Sequence, residues 1–178
     1  MNVRPARPTD AEGIRQVSAR SCRGAYEDIL DDETLIVTME DPGMAVDIRE
    51  WLTETREDDR VVYLVTESED DGEIHGFAQV LVGERAPDRT DDDEAFLKSL
   101  YVDPDHWGER IGSALLDDAL ERLPDSIARL SLSVLADNDV GRGFYESRGF
   151  EQVGTSAYEI GGVSYDTAVY ATSLTSGE

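Results

Sequence analysis

The sequence predicts a single mixed α/β (α+β) domain over residues 1–178, with a central sheet that is antiparallel early and crossed over later. Three observations predict it. Short β-rich stretches follow one another across polar turns from residue 60 onward. An apolar stripe of helical period lies between two further strand-like stretches: Ile111, Leu115 and Ala119, extended by Leu116, Leu120 and Leu123. The length of 178 residues suits one core, and no internal repeat or low-complexity tract divides it.

Taken in order, "NVRPARPTD" opens with a short extended segment, and Thr9 or Asp10 is placed to cap a helix beginning at Ala11-Glu12. Ile14 and Val17 start its apolar face. A second helical zone is expected from "CRGAYEDIL" to "DDETLIVTM", broken by "EDPG" at 40–43. In "AVDIREWLTETRE", Val46, Ile48, Trp51 and Leu52 cluster on one side of a third helix. "RVVYLVTE" and "IHGFAQVLVG" then form an antiparallel hairpin across "SEDDGE". The polar stretch 84–94 reads as an exposed loop, and "AFLKSLYV" is the next strand. The helix from Ile111 ends at Pro124. "ARLSLSVLA" is a strand. "DNDVGRGFYESRG" is a helix closed by Gly149 at its C′ position, and a final hairpin follows.

Charge narrows the partners. Forty acidic residues against sixteen basic give −24, a field that repels nucleic acid and anionic membrane surfaces. The acidity is spread along the chain, which favours adaptation to a salt-rich (halophilic) cytoplasm over attraction of a cationic substrate. The longest apolar runs are too short to span a bilayer, and the first ten residues carry no apolar signal-peptide core. A lone cysteine, Cys22, makes an intrachain disulfide impossible and suits a reducing, cytoplasmic compartment; its expected role is small apolar packing. A homodimer is the default expectation for assembly.

Two stretches carry chemistry. In "YVDPDHWGERIGSALL" a strand turns directly into a helix, with Gly108 and Gly112 flanking the turn. Backbone amides at such a turn, with the unpaired amides of Ile111, Gly112 and Ser113 and the positive end of the helix dipole, favour phosphate. An ordinary capped corner with a packing glycine is the alternative. In "LSVLADNDVGRGFYESRGF" a strand ends, Asn138 is placed to cap a helix, and the helix presents Phe144-Tyr145 before a Gly149-Phe150 stop. Gly141 and Gly143 each cost that helix about 1 kcal/mol relative to alanine, which suggests a close neighbour.

Together these stretches resemble the GCN5-related N-acetyltransferase (GNAT) family. Its pyrophosphate motif, Q/R-x-x-G-x-G/A after Val-x-Pro, is similar to Val102-Asp103-Pro104 followed by Trp107-Gly108-Glu109-Arg110-Ile111-Gly112. Its N-x-x-A-x-x-F-Y-x-x-x-G-F element matches at Asn138, Phe144, Tyr145, Gly149 and Phe150, with Gly141 in the alanine place. The opening "VRPARPTDAEGI" and "CRGAYEDILDDETL" resemble the first strand and substrate-side helices, so the likeness covers essentially the whole chain. Trp107 and Arg110 depart from the pattern, in the Gln/Arg and first-glycine places. Both retain the backbone N–H, and arginine adds a fork suited to phosphate.

The resemblance implies a GNAT-like fold with a parallel strand pair splayed around the acetyl-CoA site, acetyl-CoA as cosubstrate, no metal, and direct acetyl transfer to an amine. It implies cofactor binding by Leu100, Tyr101 and Val102, by the turn from Trp107 to Ser113, and by Asn138 and Tyr145. It makes Tyr145 the general acid for the departing thiolate. Some family members place a glutamate base on the strand before the turn. That place holds Phe96 here; Glu94 and Lys98 share its strand face, and Glu94 is the weak candidate. His106 reads as a solvated loop residue, and His75 has no assigned partner. Tyr26, Trp51 and Tyr158 are candidates for lining an acceptor cleft or for the core. Two other functions remain open: a non-catalytic acyl-CoA-binding regulatory module, and a cofactor-free acidic interaction protein.

Overall fold

The structure is a computed structural model that describes residues 2–26, 43–86, 92–160 and 163–174. Seven strands form one sheet: β1 (Asn2–Pro5), β2 (Val61–Glu67), β3 (Ile74–Leu81), β4 (Glu94–Val102), β5 (Arg129–Leu135), β6 (Glu151–Ile160) and β7 (Val163–Ser173). Their spatial order is β1-β2-β3-β4-β5-β7-β6. All neighbours pair antiparallel except β4 and β5, which are parallel. A parallel pair needs a crossover. The helix from Ile111 supplies it, as its apolar stripe predicts.

Four helices are described: α1 (Ala11–Tyr26), α2 (Gly43–Thr55), α3 (Ile111–Glu121) and α4 (Asp139–Ser147). They cover the two faces of the sheet. On one face Ile14 and Val17 of α1 and Leu52 of α2 bury against Val65, Ile74 and Phe77. On the other, Ile111, Leu115 and Leu116 of α3 bury against Leu64, Ala78, Val80 and Leu97, and Tyr145 and Phe150 join them. Fully burying a leucine such as Leu115 contributes about 2 kcal/mol, so this stripe anchors the crossover.

Several details differ from the sequence expectations. Residues 22–26 continue α1 instead of opening a second helix, and residues 27–42 lie outside the described residues. The side chains of Cys22, Tyr26 and Tyr158 also lie outside them. Asp10 does not cap the amides ahead of it. Its carboxylate reaches back to accept from the Arg7 amide at 2.7 Å and pairs with Arg4 at 2.8 Å, because Pro8–Asp10 is a 3₁₀ turn. Val46 is 48% exposed; the buried stripe of α2 runs through Ile48 and Leu52 without it. Glu94 is not in a loop. It starts β4 and is buried.

Gly76 has a packing reason that local sequence does not show. A Cβ there would meet the Tyr101 carbonyl oxygen at 3.1 Å and Ile111 Cγ2 at 3.0 Å. Its bare backbone lets the start of α3 sit down on β3 and β4.

Candidate functional site

The site is made by strands that part. Parallel pairing of β4 with β5 runs from Glu94↔Arg129 to Leu97↔Leu132 and stops there. On its other edge β4 carries a bulge: Gln79 faces Ser99 and Val80 faces Leu97, so Lys98 is the extra residue. A bulge bends its strand, and this one lies where the pairing ends. Beyond it a cleft of about 410 Å³ opens, walled by residues 97–102 of β4 and 132–134 of β5.

The N-terminus of α3 forms one end of the cleft. Arg110 occupies the N-cap position at φ 65°, the left-handed region, and no side chain caps the helix. The first-turn amides of a helix lack intrahelical partners, and Ile111, Gly112 and Ser113 line the cleft, an arrangement suited to an anion. Gly108, at φ 87°, makes the preceding reversal. The place that the resembled motif fills with its first glycine has a left-handed backbone here, and an arginine adopts it. A Cβ at Gly112 would meet only ordinary contacts, the nearest at 3.5 Å from Phe144.

The turn is tied down from several sides. Trp107 donates from Nε1 to the Val102 carbonyl at 2.9 Å while its ring stays 42% exposed. The Asp103 amide donates to the His75 carbonyl at 2.8 Å. The buried Asp103 carboxylate accepts from the Asp105 amide and from Arg20 Nη1, at 3.0 and 2.7 Å. Burial works to raise the Asp103 pKa, but the Arg20 hydrogen bond, the Asp105 amide and the nearby positive charge together hold it below the ordinary carboxylate value. His106 stacks on His75 with centroids 3.6 Å apart, and its Nδ1 lies 2.9 Å from Glu109 Oε2. Neither histidine is without a neighbour, contrary to the solvated-loop reading.

The far wall comes from α4. Asn138 Oδ1 accepts from the Gly141 amide at 3.0 Å, the expected N-cap. Gly141 does have a close neighbour: a Cβ would come 2.6 Å from Asn138 Nδ2. Gly143 has nothing within 4 Å, so that expectation does not hold for it. Gly149 closes the helix at φ 91°. Tyr145 packs edge-on between Phe144 and Phe150, with centroids 5.2 and 5.5 Å away, and also lines the cleft. Core and site roles coincide there. Its helix is held by Tyr170 of β7, whose buried hydroxyl donates to Glu146 at 2.8 Å and accepts from Arg142 at 3.0 Å.

The structure brings most predicted residues together. Leu100, Tyr101, Val102, Trp107, Gly108, Arg110, Ile111, Gly112, Ser113, Asn138 and Tyr145 all line the cleft. Glu109 does not; it turns to His106. Glu94 is also outside it, at the opposite end of β4, where it accepts from Ser131 at 2.9 Å and pairs with Arg129 at 3.4 Å. Both contacts cross from β4 to its parallel partner β5. Trp51 lies on the α1–α2 face, with Lys98 Nζ 5.1 Å and Arg85 Cζ 5.2 Å from its ring centroid. Sequence reasoning missed Ser21, Ser133, Val134 and Val140 as cleft residues, and gave Lys98 no role. A signal for Lys98 was present, since it is the only lysine in the chain. Among the described residues no three His, Cys, Asp or Glu side chains group as a metal site. No described helix is long and apolar enough to cross a membrane.

Comparisons with known proteins bear on this geometry. The fold matches the PaiA N-acetyltransferase of Thermoplasma acidophilum, solved in complex with coenzyme A: TM-score 0.78, 19% identity, covering 97% of this chain and 98% of that one. It also matches the ribosomal-protein-alanine N-acetyltransferase of Brucella melitensis: TM-score 0.68, 22% identity, covering 98% and 100%. At such identities these likenesses speak to the fold. No protein of curated function matches by sequence. Residues 24–150, from the end of α1 through the parting strands and the α3 turn to the Gly149-Phe150 stop, match the family described as Acetyltransferase (GNAT), and the chain belongs to that family.

Proposed function

We propose that this chain is an acetyl-CoA-dependent N-acetyltransferase that passes the acetyl group directly to a primary amine of a small molecule or protein. One observation carries the reading. Where β4 and β5 part, the uncapped start of α3 and the Tyr145 ring meet around one cleft. Family membership and the coenzyme A bound to the Thermoplasma relative support it.

The residues fit a pyrophosphate and its pantetheine arm. The Ile111, Gly112 and Ser113 amides suit the phosphate oxygens, and Arg110 adds a charged fork at the same turn. The β4 edge at Leu100, Tyr101 and Val102 offers backbone groups to an extended arm in the way an added strand would. When bound, acetyl-CoA supplies an acyl group already activated as a thioester. A backbone N–H of β4 polarises the carbonyl. Tyr145 holds the proton that the departing sulfur requires. Asn138 positions α4, and so Tyr145, through its cap. Glu94, engaged with Ser131 and Arg129, serves the sheet, so proton removal from the acceptor falls to water or to another group in the cleft. The whole of residues 1–178 acts as one acetyltransferase domain in a cytoplasm rich in salt.

Calorimetric titration with acetyl-CoA in molar KCl is the first test. Saturable one-to-one binding, followed by thiol release over an amine panel, is the expected result. Because Glu94 is committed elsewhere, a binding module without turnover is the second reading. It predicts the same titration and no thiol release with any amine. No binding by folded protein excludes both.

A further inference from the structure

Lys98 is the one lysine of a chain with forty acidic residues. It is the extra residue of the β4 bulge, at the point where β4 leaves β5, and it lines the cleft. Many of the arginines are paired with carboxylates: Arg4, Arg15, Arg20, Arg60, Arg85, Arg122, Arg129 and Arg148. Lys98 makes no ion pair among the described residues. Its ammonium rests 5.1 Å from the Trp51 ring, and Arg85 serves the same ring from 5.2 Å. Such a contact contributes about 0.5–2 kcal/mol, little enough for the side chain to exchange it for another position. Protein crowding around the amine lowers its pKa, which raises the share of the neutral, nucleophilic form.

Distance along the strand favours a nearby target. The nearest residue of the proposed arm-binding edge, Leu100, lies two residues on, about 7 Å at the rise of a strand. A flexible four-carbon stem spans about that length. On this basis, and resting on the acetyl-CoA reading above, we propose that Lys98 is a self-acetylation site: in the absence of an acceptor the protein acetylates its own cleft lysine.

The step balances without further reagents. The lysine first loses a proton to solvent. The neutral Nζ forms a bond to the thioester carbonyl carbon and the carbon–sulfur bond breaks. The nitrogen gives up one proton, the sulfur gains one, and the products are Nζ-acetyl-Lys98 and free CoA thiol. The modified side chain loses its charge and with it the cation–π contact with Trp51.

The test uses the full chain and acetyl-CoA with no amine added, read by intact mass and peptide mapping. The expected result is one acetyl group on Lys98, formed at least about tenfold faster than in the urea-unfolded chain, since a positioned amine gains effective molarity. Its rate constant is independent of protein concentration, and excess CoA suppresses it. Lys98→Arg, with folding checked by circular dichroism, loses the modification. An unmodified Lys98 in protein that binds acetyl-CoA by calorimetry overturns the proposal while leaving the enzyme reading intact. Equal labelling of the unfolded chain, a rate that rises with protein concentration, or a label that persists in Lys98→Arg also overturns it. Failure to bind acetyl-CoA at all removes both readings.

Discussion

Arg110 and Tyr145 are the single side chains on which the proposed site most depends. Arg110 holds φ 65° at the first residue before α3, a conformation that costs a non-glycine residue about 1 kcal/mol. Arg110→Gly removes that strain and also the fork at the proposed phosphate end. We expect the melting temperature to rise by about 3 °C while calorimetric affinity for acetyl-CoA falls about tenfold. Unaltered affinity would show that the side chain takes no part in binding. Tyr145→Phe keeps the ring that packs between Phe144 and Phe150 and removes only the hydroxyl. Turnover should fall about a hundredfold with acetyl-CoA affinity within a factor of about two, as seen by steady-state kinetics beside calorimetry. The motif made both residues legible. The commitment of Glu94 to Ser131 and Arg129 was not, because it depends on which strand lies beside β4.

At the scale of elements, the turn before α3 depends on contacts from α1 and β3. The Gly76→Ala methyl group would press on the Tyr101 carbonyl and on Ile111, neither of which is a loose chain end. Overpacking of this kind costs about 1–3 kcal/mol. It should lower the melting temperature and weaken acetyl-CoA binding together, because the same contact seats the proposed phosphate turn. A mutant with lowered stability and unchanged affinity would separate the two. Asp103 joins α1 to the same turn through Arg20. Its pKa in the folded protein lies below the ordinary value. Its contribution is therefore full above the unfolded carboxylate value, near pH 4, and is lost as pH falls through the folded one. Asp10, lowered in the same direction by Arg4 and the Arg7 amide against the cost of burial, adds to the effect. Thermal melts should show stability falling below about pH 4, with a shallower fall in Asp103→Asn. An identical slope would place the acid sensitivity elsewhere.

The chain carries a net charge of −24, which repels itself in dilute buffer. Screening at molar salt shortens their reach to about 3 Å. Melting temperature should therefore rise by more than about 5 °C between dilute buffer and molar KCl. Equal melting in the two would count against adaptation to a salty cytoplasm.

The sequence by itself determined the class of fold, the crossover helix, the two motifs and the family, since these are written in local spacing: the four-residue stripe from Ile111, the glycines around the turn, and Asn138 with Phe144-Tyr145. Periodicity and capping act over a few residues, so a linear reading captures them. Only the tertiary structure decided that Asp10 answers to Arg4, that Gly76 must lack a Cβ, that Glu94 is withdrawn from the cleft and that Lys98 stands within it. Each of these depends on strands and helices distant in the chain being brought into contact. The bulge that leaves Lys98 unpaired exists only once β3 and β4 are in register.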